Sequence, residues 1–219
     1  MATAATKGLI GLGGLGSLAG GGALAWQQGA FSSSIKNVKD RLLSNGYEIL
    51  DVNSDKWTEI FKVYKDAGNT KWKFENDEIT NNTQDTEIQK LKNKCKEALE
   101  KDSSDEKSYS NASKWCVVPR KVESFIDGKS LLNTEENNQD GSKWQKILAK
   151  YKDSKKADNK KYAMDGVELE DDAGNTKDAS NQKKIRDGCK ARREKYHYSL
   201  DFEHSLQEVK TWCTEEASK

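Results

Sequence analysis

The chain has 219 residues, and its 37 basic and 36 acidic side chains leave a formal net charge of only +1. Proteins that bind nucleic acid usually carry a clear basic excess, so this balance argues against nucleic acid as the main partner. Hydrophobic residues make up 34% of the chain and charged residues 33%, which predicts a small core and long solvated loops.

Residues 1–34 form a distinct N-terminal segment. From position 8 to position 35 the chain has 28 consecutive residues without an ionisable side chain, which is long enough to cross a bilayer. Nine of them are glycine, and each glycine costs a helix about 1 kcal/mol relative to alanine, so membrane insertion is marginal. We expect residues 8–31 to attach the protein to the cell membrane as a signal anchor. The alternatives are a signal peptide cleaved after Ala25 and an unstructured Gly-rich leader.

The charges around this segment leave its orientation open. Lys7 precedes it, whereas Lys36, Lys39 and Arg41 follow it, so the positive-inside rule would keep the C-terminal part in the cytoplasm. The four cysteines form two similarly spaced pairs without a Cys-x-x-Cys motif, which favours disulfides in an exported protein. We therefore expect the C-terminal part outside the cell, with a cytoplasm-facing scaffold protein as the alternative.

The rest of the chain contains a duplication. Residues 56–66 (KWTEIFKVYKD) return 87 positions later as residues 143–153 (KWQKILAKYKD). A lone cysteine and then a Trp-Cys pair follow each copy. We assign the two repeats to residues 35–116 and 117–219. The predicted fold is all-α, with an N-terminal hydrophobic helix followed by two duplicated small helical units that carry long polar loops.

The first repeat is predicted to contain an opening helix, a core helix and a helical hairpin. The opening helix has an apolar face of Ile35, Val38 and Leu42 and ends at Gly46, a residue suited to the left-handed conformation that stops a helix. The core helix carries an aromatic stripe at helical spacing, which is typical of core packing rather than of ligand binding. The predicted core positions of this repeat are Trp57, Ile60, Phe61, Tyr64 and Trp115.

The second repeat is predicted to contain the same elements. Residues 118–126 repeat the apolar face of the opening helix. Residues 153–181 are almost wholly polar apart from Tyr162, Ala163, Met164, Val167 and Leu169, which predicts a long, mobile surface insertion. The predicted core positions of this repeat are Trp144, Ile147, Leu148, Tyr151 and Trp212.

The hairpin of the second repeat differs from the first at the end of its first helix. Arg192 and Arg193 stand where the first repeat has Ala98 and Leu99, so we expect this helix to be less buried toward its end. The basic run in residues 183–195 is interrupted by acidic residues, which is typical of a solvated helix face.

The cysteines are predicted to form one disulfide in each repeat. The position midway between Cys95 and Cys116 falls in the turn of the first predicted hairpin, and the same is true of Cys189 and Cys213 in the second. Each pair therefore sits at matching heights on the two arms of its own hairpin. Of the three pairings that four cysteines allow, we predict Cys95–Cys116 and Cys189–Cys213.

No cluster of residues in the sequence indicates catalysis or metal binding. His197 and His204 are seven positions apart and lack an acidic partner at ligand spacing, so we expect packing or surface roles for both. The acidic run in residues 168–172 lacks the alternating pattern of a calcium-binding EF-hand loop. We predict a protein that is not an enzyme and that has no catalytic residue, cofactor or metal site.

Several features together carry a resemblance to a known group of proteins. They are the Gly/Leu-rich leader at residues 8–25, the two Lys-Trp-x-x-Ile-x-x-x-Tyr helices, the lone cysteines and the Trp-Cys pairs. This combination resembles the lineage-specific paralogous membrane and surface protein families of haemotropic mycoplasmas. The resemblance implies a membrane-associated or exported surface protein that varies antigenically, and it supplies no catalytic residue. The predicted function is adhesion or antigenic display, with a host-surface protein or glycan as partner.

Overall fold

The computed structural model describes residues 35–79, 84–135, 139–155, 162–171 and 174–219. In these residues the secondary structure is all-α, as predicted, with seven α-helices and no β-strand beyond isolated bridges. The N-terminal segment of residues 1–34, with its predicted signal anchor, lies outside the described residues. No helix in the described ranges combines the length and the apolar character that a membrane span requires.

The first unit contains an opening helix, a core helix and a hairpin of two helices. The opening helix starts after Asn37, whose side chain accepts a hydrogen bond from the Asp40 amide, and it ends before Gly46, which has a φ of 77°. Ile35 was predicted on its buried face but is 49% exposed, because the helix begins only at Val38. The four helices are α1 (Val38–Ser44), α2 (Lys56–Tyr64), α3 (Gln84–Leu99) and α4 (Glu106–Trp115).

The second unit has a core helix and a hairpin but no opening α-helix. At the predicted opening helix the chain forms only the four-residue 3-10 turn Val122–Phe125. The bridged residues Asn37 and Ile49 of the first unit are 12 positions apart, whereas their counterparts Lys121 and Leu131 are 10 positions apart. The shorter connection leaves less chain for a helix. The α-helices of this unit are α5 (Gly141–Lys152), α6 (Asp178–Arg193) and α7 (Phe202–Trp212), with further 3-10 turns at Gly128–Ser130 and Glu216–Ser218.

The core tryptophan of each unit is held in the same way. The indole N–H of Trp57 donates to the carbonyl of Asp51 at 2.8 Å. That of Trp144 donates to the carbonyl of Asn133 at 2.9 Å. Each indole thereby fixes the connection that leads into its own helix, and the duplication seen in the sequence extends to these contacts.

Nine of the ten predicted core side chains are buried, and Trp212 is only half buried. Its counterpart Trp115 donates its indole N–H to the carbonyl of Trp72 at 2.7 Å and is fully covered. Trp212 nevertheless packs edge-on against Tyr151, with ring centroids 5.0 Å apart. Two core clusters result, one in each unit.

The prediction that residues 153–181 form a surface insertion is wrong for part of this range. Met164, Val167 and Leu169 are buried in the second core. The hydroxyl of Tyr151 accepts a hydrogen bond from the Met164 amide at 3.1 Å and donates to the Val167 carbonyl at 3.0 Å. A buried hydroxyl needs such partners, so the hydrogen bonds of Tyr151 hold the segment around Met164 and Val167 against the core.

The two units meet at the turn between α6 and α7. Tyr198, from this turn, lies in the core cluster of the first unit. The buried ammonium of Lys114, on α4, donates to the carbonyls of His197 and Ser199 at 3.3 and 2.9 Å. The two cores are therefore joined by both apolar and polar contacts.

Candidate functional site

A groove of about 480 Å³ opens on the first unit, between α3 and the segments around Asn37 and Leu50. Its floor is apolar and is formed by Leu50, Trp57 and Leu99 together with the Cys95–Cys116 disulfide. Cavities of this size and character are typical of small-molecule sites. We therefore take this groove as the candidate functional site.

The helical spacing of α3 explains how the groove is built. Lys92, Lys96 and Leu99 follow one another at four and three positions and so share a face of the helix. Cys95 lies beside them and is tied to Cys116 of α4, with 5.4 Å between the Cα atoms. The Lys92 ammonium lies 5.9 Å from the centroid of the Trp57 ring. The groove therefore has a fixed apolar floor beneath flexible basic side chains.

The rim of the groove is basic. Of the described residues that line it, Lys39, Lys92 and Lys96 are basic and Glu100 alone is acidic. Among the described residues, no carboxylate lies within 4.0 Å of any of these three ammonium groups. Positive charge without an acidic partner in these described ranges is available to an anion.

In the second unit, side chains occupy the region that is equivalent to the groove. The helices α3 and α6 align on Cys95 and Cys189, which places Arg193 at the position of Leu99. The Arg193 guanidinium donates to the carbonyl of Leu132 at 3.0 Å and pairs with Glu123 at 3.2 Å. Leu132 and Glu123 are the counterparts of Leu50 and Lys39, so Arg193 reaches across the equivalent of the groove.

A second difference follows from the same alignment. Lys190, the counterpart of Lys96, forms an ion pair with Glu135 at 3.2 Å, whereas Lys96 has no such pair within the part of the chain that the structure describes. The duplication thus yields one groove with an unpaired basic rim and one equivalent region with internal ion pairs.

The expectation that α6 is less buried toward its end is also wrong. Arg192 is 7% exposed, because its guanidinium forms a buried ion pair with Glu208 at 2.5 Å. It also donates to the carbonyl of Asp165 at 2.7 Å. The Asp165 amide donates to Glu208 at 3.2 Å. The pair therefore fastens residues 162–171 to the hairpin.

The two histidines have the packing and surface roles that were predicted, but one of them does have an acidic neighbour. The exposed His204 has its Nε2 atom 3.3 Å from a carboxylate oxygen of Glu208, four positions later. This carboxylate is already bound by Arg192, so it is poorly suited to a metal. Within the described ranges, no group of three or more His, Cys, Asp or Glu residues is placed to hold a metal ion.

The largest pKa shifts among the basic groups lie at the junction of the units and not in the groove. Burial lowers the pKa of Lys114 to about 8. Burial, together with the nearby charge of Lys114, lowers the pKa of His197 to about 4. His197 Nδ1 accepts a hydrogen bond from the Arg120 amide at 3.0 Å, while its Nε2 is buried without a hydrogen-bond partner among the described residues. Both groups are enclosed, so they stabilise or weaken the junction rather than act on a substrate.

Of the predicted site residues, Trp57, Cys95 and Cys116 line the groove, and the others lie in the two cores. The basic rim was missed because it shows no motif of its own. An alignment of the two repeats would have revealed it, because Lys39 aligns with Glu123 and Leu99 aligns with Arg193. The chain matches no protein-family model, curated protein or solved structure.

Proposed function

We propose that this protein is a non-enzymatic surface protein, anchored in the cell membrane by residues 8–31, that serves adhesion or antigenic display. Its C-terminal part lies outside the cell in this proposal. The observation that carries it is the presence of one buried disulfide in each unit, Cys95–Cys116 and Cys189–Cys213. Structural disulfides persist in oxidising environments and are rare in the cytoplasm.

The disulfides have an energetic role that supports export. They close loops of 21 and 24 residues, and closing a loop of this length stabilises a fold by about 3 kcal/mol on the chain-entropy estimate. That is a large share of the stability of a small domain. In a reducing compartment this contribution would be absent from both units.

The character of the candidate site supports binding rather than catalysis. The groove offers an apolar floor and a rim of flexible lysines. The two most strongly shifted basic groups, Lys114 and His197, are enclosed at the junction between the units. The partner we expect for adhesion is a host-surface protein or glycan.

A cytoplasm-facing scaffold protein is the second candidate. It is favoured by Lys36, Lys39 and Arg41, which follow the N-terminal segment and outnumber Lys7 before it. The positive-inside rule would keep such a flank in the cytoplasm. This candidate requires reduced cysteines, which distinguishes it from the first.

Protease treatment of intact cells, followed by peptide mapping without reduction, separates the two candidates. Display predicts digestion of the C-terminal part while a cytoplasmic marker survives, and it predicts recovery of both disulfides from the native protein. Survival of the chain beside a digested surface marker, or recovery of four free thiols, would reject display. Binding of the labelled protein to host cells should also fall after reduction and alkylation.

A further inference from the structure

We propose that the groove of the first unit is a binding site for a small anionic amphiphile, a molecule with an apolar body and a single carboxylate or similar anionic group. The apolar body would lie on Leu50, Trp57 and Leu99, and the anionic group would lie between Lys39 and the lysines of α3. This assignment does not depend on where the protein resides or on whether it is displayed.

The floor of the groove explains the apolar half of the ligand. Trp57 is 4% exposed and Leu50 is 7% exposed, so each presents only a small face, and these faces adjoin Leu99 and the disulfide. Removing such contiguous apolar surface from water is favourable in proportion to the area covered. The site therefore selects a ligand with a hydrocarbon or aromatic body over a wholly polar one.

The rim explains the anionic half. Lys39 approaches from α1, while Lys92 and Lys96 approach from α3, so an anion at the mouth of the groove is flanked by positive charge from two elements. Glu100 is the one opposing charge and is exposed to solvent. Like charges disfavour a cationic ligand at the same place. The charge of the rim therefore favours an anionic ligand over a cationic one.

The size of the site favours a small molecule over a protein partner. The volume of about 480 Å³ falls in the range of small-ligand cavities. Of the residues that the structure describes, 13 line it, whereas a stable protein interface commonly uses about 20–30 residues on each side. A compact ligand can fill the groove without any further surface.

The second unit supplies an internal reference for a closed site. There Arg193 spans from α6 to Glu123 and to the Leu132 carbonyl. A ligand would have to displace these contacts, and Glu123 would repel its anionic group. The same helical frame therefore provides one open site and one closed site in a single chain.

Titration of the full chain with sodium decanoate, at concentrations where decanoate is monomeric, tests the proposal. Isothermal titration calorimetry should give saturable binding to one site, and the NMR signal of the Trp57 indole N–H should shift. Decanol, with the same chain and no charge, should bind at least tenfold more weakly, and decyltrimethylammonium should bind more weakly still. Absence of saturable decanoate binding, or equal binding of decanol, would overturn the proposal.

The double variant Lys39→Glu/Leu99→Arg installs the closing pair of the second unit and should weaken decanoate binding at least tenfold. Because Leu99 is half buried, Lys39→Glu/Lys96→Glu provides a second test that changes only exposed side chains. The control Lys146→Glu/Ala191→Arg makes the same net change in charge as Lys39→Glu/Leu99→Arg, on exposed positions of α5 and α6, and should bind as the unchanged chain does.

All of these variants retain residues 8–31, so any binding of decanoate to that apolar segment is common to them and cancels in the comparison. If the groove variants and the control bound decanoate with equal affinity, the proposal that the groove is the binding site would be overturned. The proposal would also be overturned if the chain did not bind decanoate but bound an acidic, leucine-rich peptide through the same lysines. The groove would then be a protein-docking surface.

Discussion

The two units share a frame and differ in what occupies one face of it. In both, a tryptophan indole, a tyrosine hydroxyl and a disulfide make equivalent contacts. Across the face beside the disulfide, the first unit has Lys39 and Leu99, whereas the second has Glu123 paired with Arg193. Partly exposed ion pairs contribute little to stability, so this face can change without loss of the fold. Under the proposal above, divergence there changes binding, while the contacts that hold the frame are kept.

The interiors of the hairpins differ as well. The second unit buries the ion pair of Arg192 and Glu208, where the first unit has Ala98 and Asn111. Asn111 donates to the carbonyl of Lys73 at 3.2 Å, so each unit uses this position to hold the segment after its core helix. The second unit does so with charged groups, and breaking a buried pair of charges is more costly than losing a single neutral hydrogen bond.

The largest expected effect comes from the part of the frame that the units share. Trp57→Ala and Trp144→Ala should each lower the free energy of unfolding by about 3–5 kcal/mol, because each removes a large buried aromatic side chain. Chemical denaturation of the full chain measures this, with Leu43→Ala, at a residue 48% exposed, as the control. A loss below about 1 kcal/mol for either tryptophan would mean that its side chain is not part of the core of its unit.

The buried ion pair tests the difference between the interiors. Arg192→Ala should cost about 3–5 kcal/mol, because it leaves the carboxylate of Glu208 buried without its partner. The double variant Arg192→Ala/Glu208→Asn installs the residues of the first unit and should cost less than the single change. A double variant at least as unstable as Arg192→Ala, measured by the same denaturation, would show that the charge of Glu208 is not the source of the loss.

The sequence was sufficient to predict the elements that depend on periodicity and duplication. The aromatic stripes placed α2 and α5, and the hairpin turn midway between the two cysteines of each repeat indicated the pairings that the structure contains. Repetition made these patterns stronger, since each could be compared with a second copy.

Two of the errors concern burial that local periodicity does not reveal, because it depends on partners distant in the chain. Arg192 is buried because Glu208, 16 positions away, neutralises it, and a partner at that distance is invisible to local periodicity. Met164 is buried because the hydroxyl of Tyr151 binds its backbone amide. The differences at Lys39 and Leu99 are visible when the two repeats are aligned, but whether the rim lysines are paired is a property of the folded units.

The junction between the units should make stability depend on pH. His197 has a pKa of about 4 in the folded protein, lowered from 6.5 by burial and by the charge of Lys114. Between these values the unfolded chain binds a proton that the folded chain does not, so stability falls as the pH falls through this window. Between pH 6.5 and 4.5 this group should remove about 2–3 kcal/mol.

Denaturation of His197→Gln at both pH values checks this, since the variant should lose most of that pH dependence. His204→Gln, at an exposed histidine of the same unit, should keep it. If His197→Gln shows the same fall in stability as the unchanged chain, carboxylates rather than the junction histidine set the acid limit of the fold.

The smallest effect concerns a close approach found in the second unit. At Gly188 on α6, an added Cβ atom would lie 2.5 Å from the Cγ2 atom of Val167, which is too close for any real contact. The counterpart in the first unit is Lys94. Gly188→Ala should therefore cost about 1–2 kcal/mol, because overpacking of about 1–3 kcal/mol is partly offset by the higher helix propensity of alanine.

The segment of residues 162–171 explains why this glycine is needed, since Val167 packs directly onto α6 there. Gly128→Ala serves as the control, because a Cβ atom at Gly128 would meet no atom within 4 Å. Val167→Ala removes the clashing methyl groups, so the losses from Gly188→Ala and Val167→Ala should not add when the two changes are combined. Additive losses, or a Gly188→Ala protein as stable as the unchanged chain, would mean that this segment does not pack against α6 as closely as the structure places it.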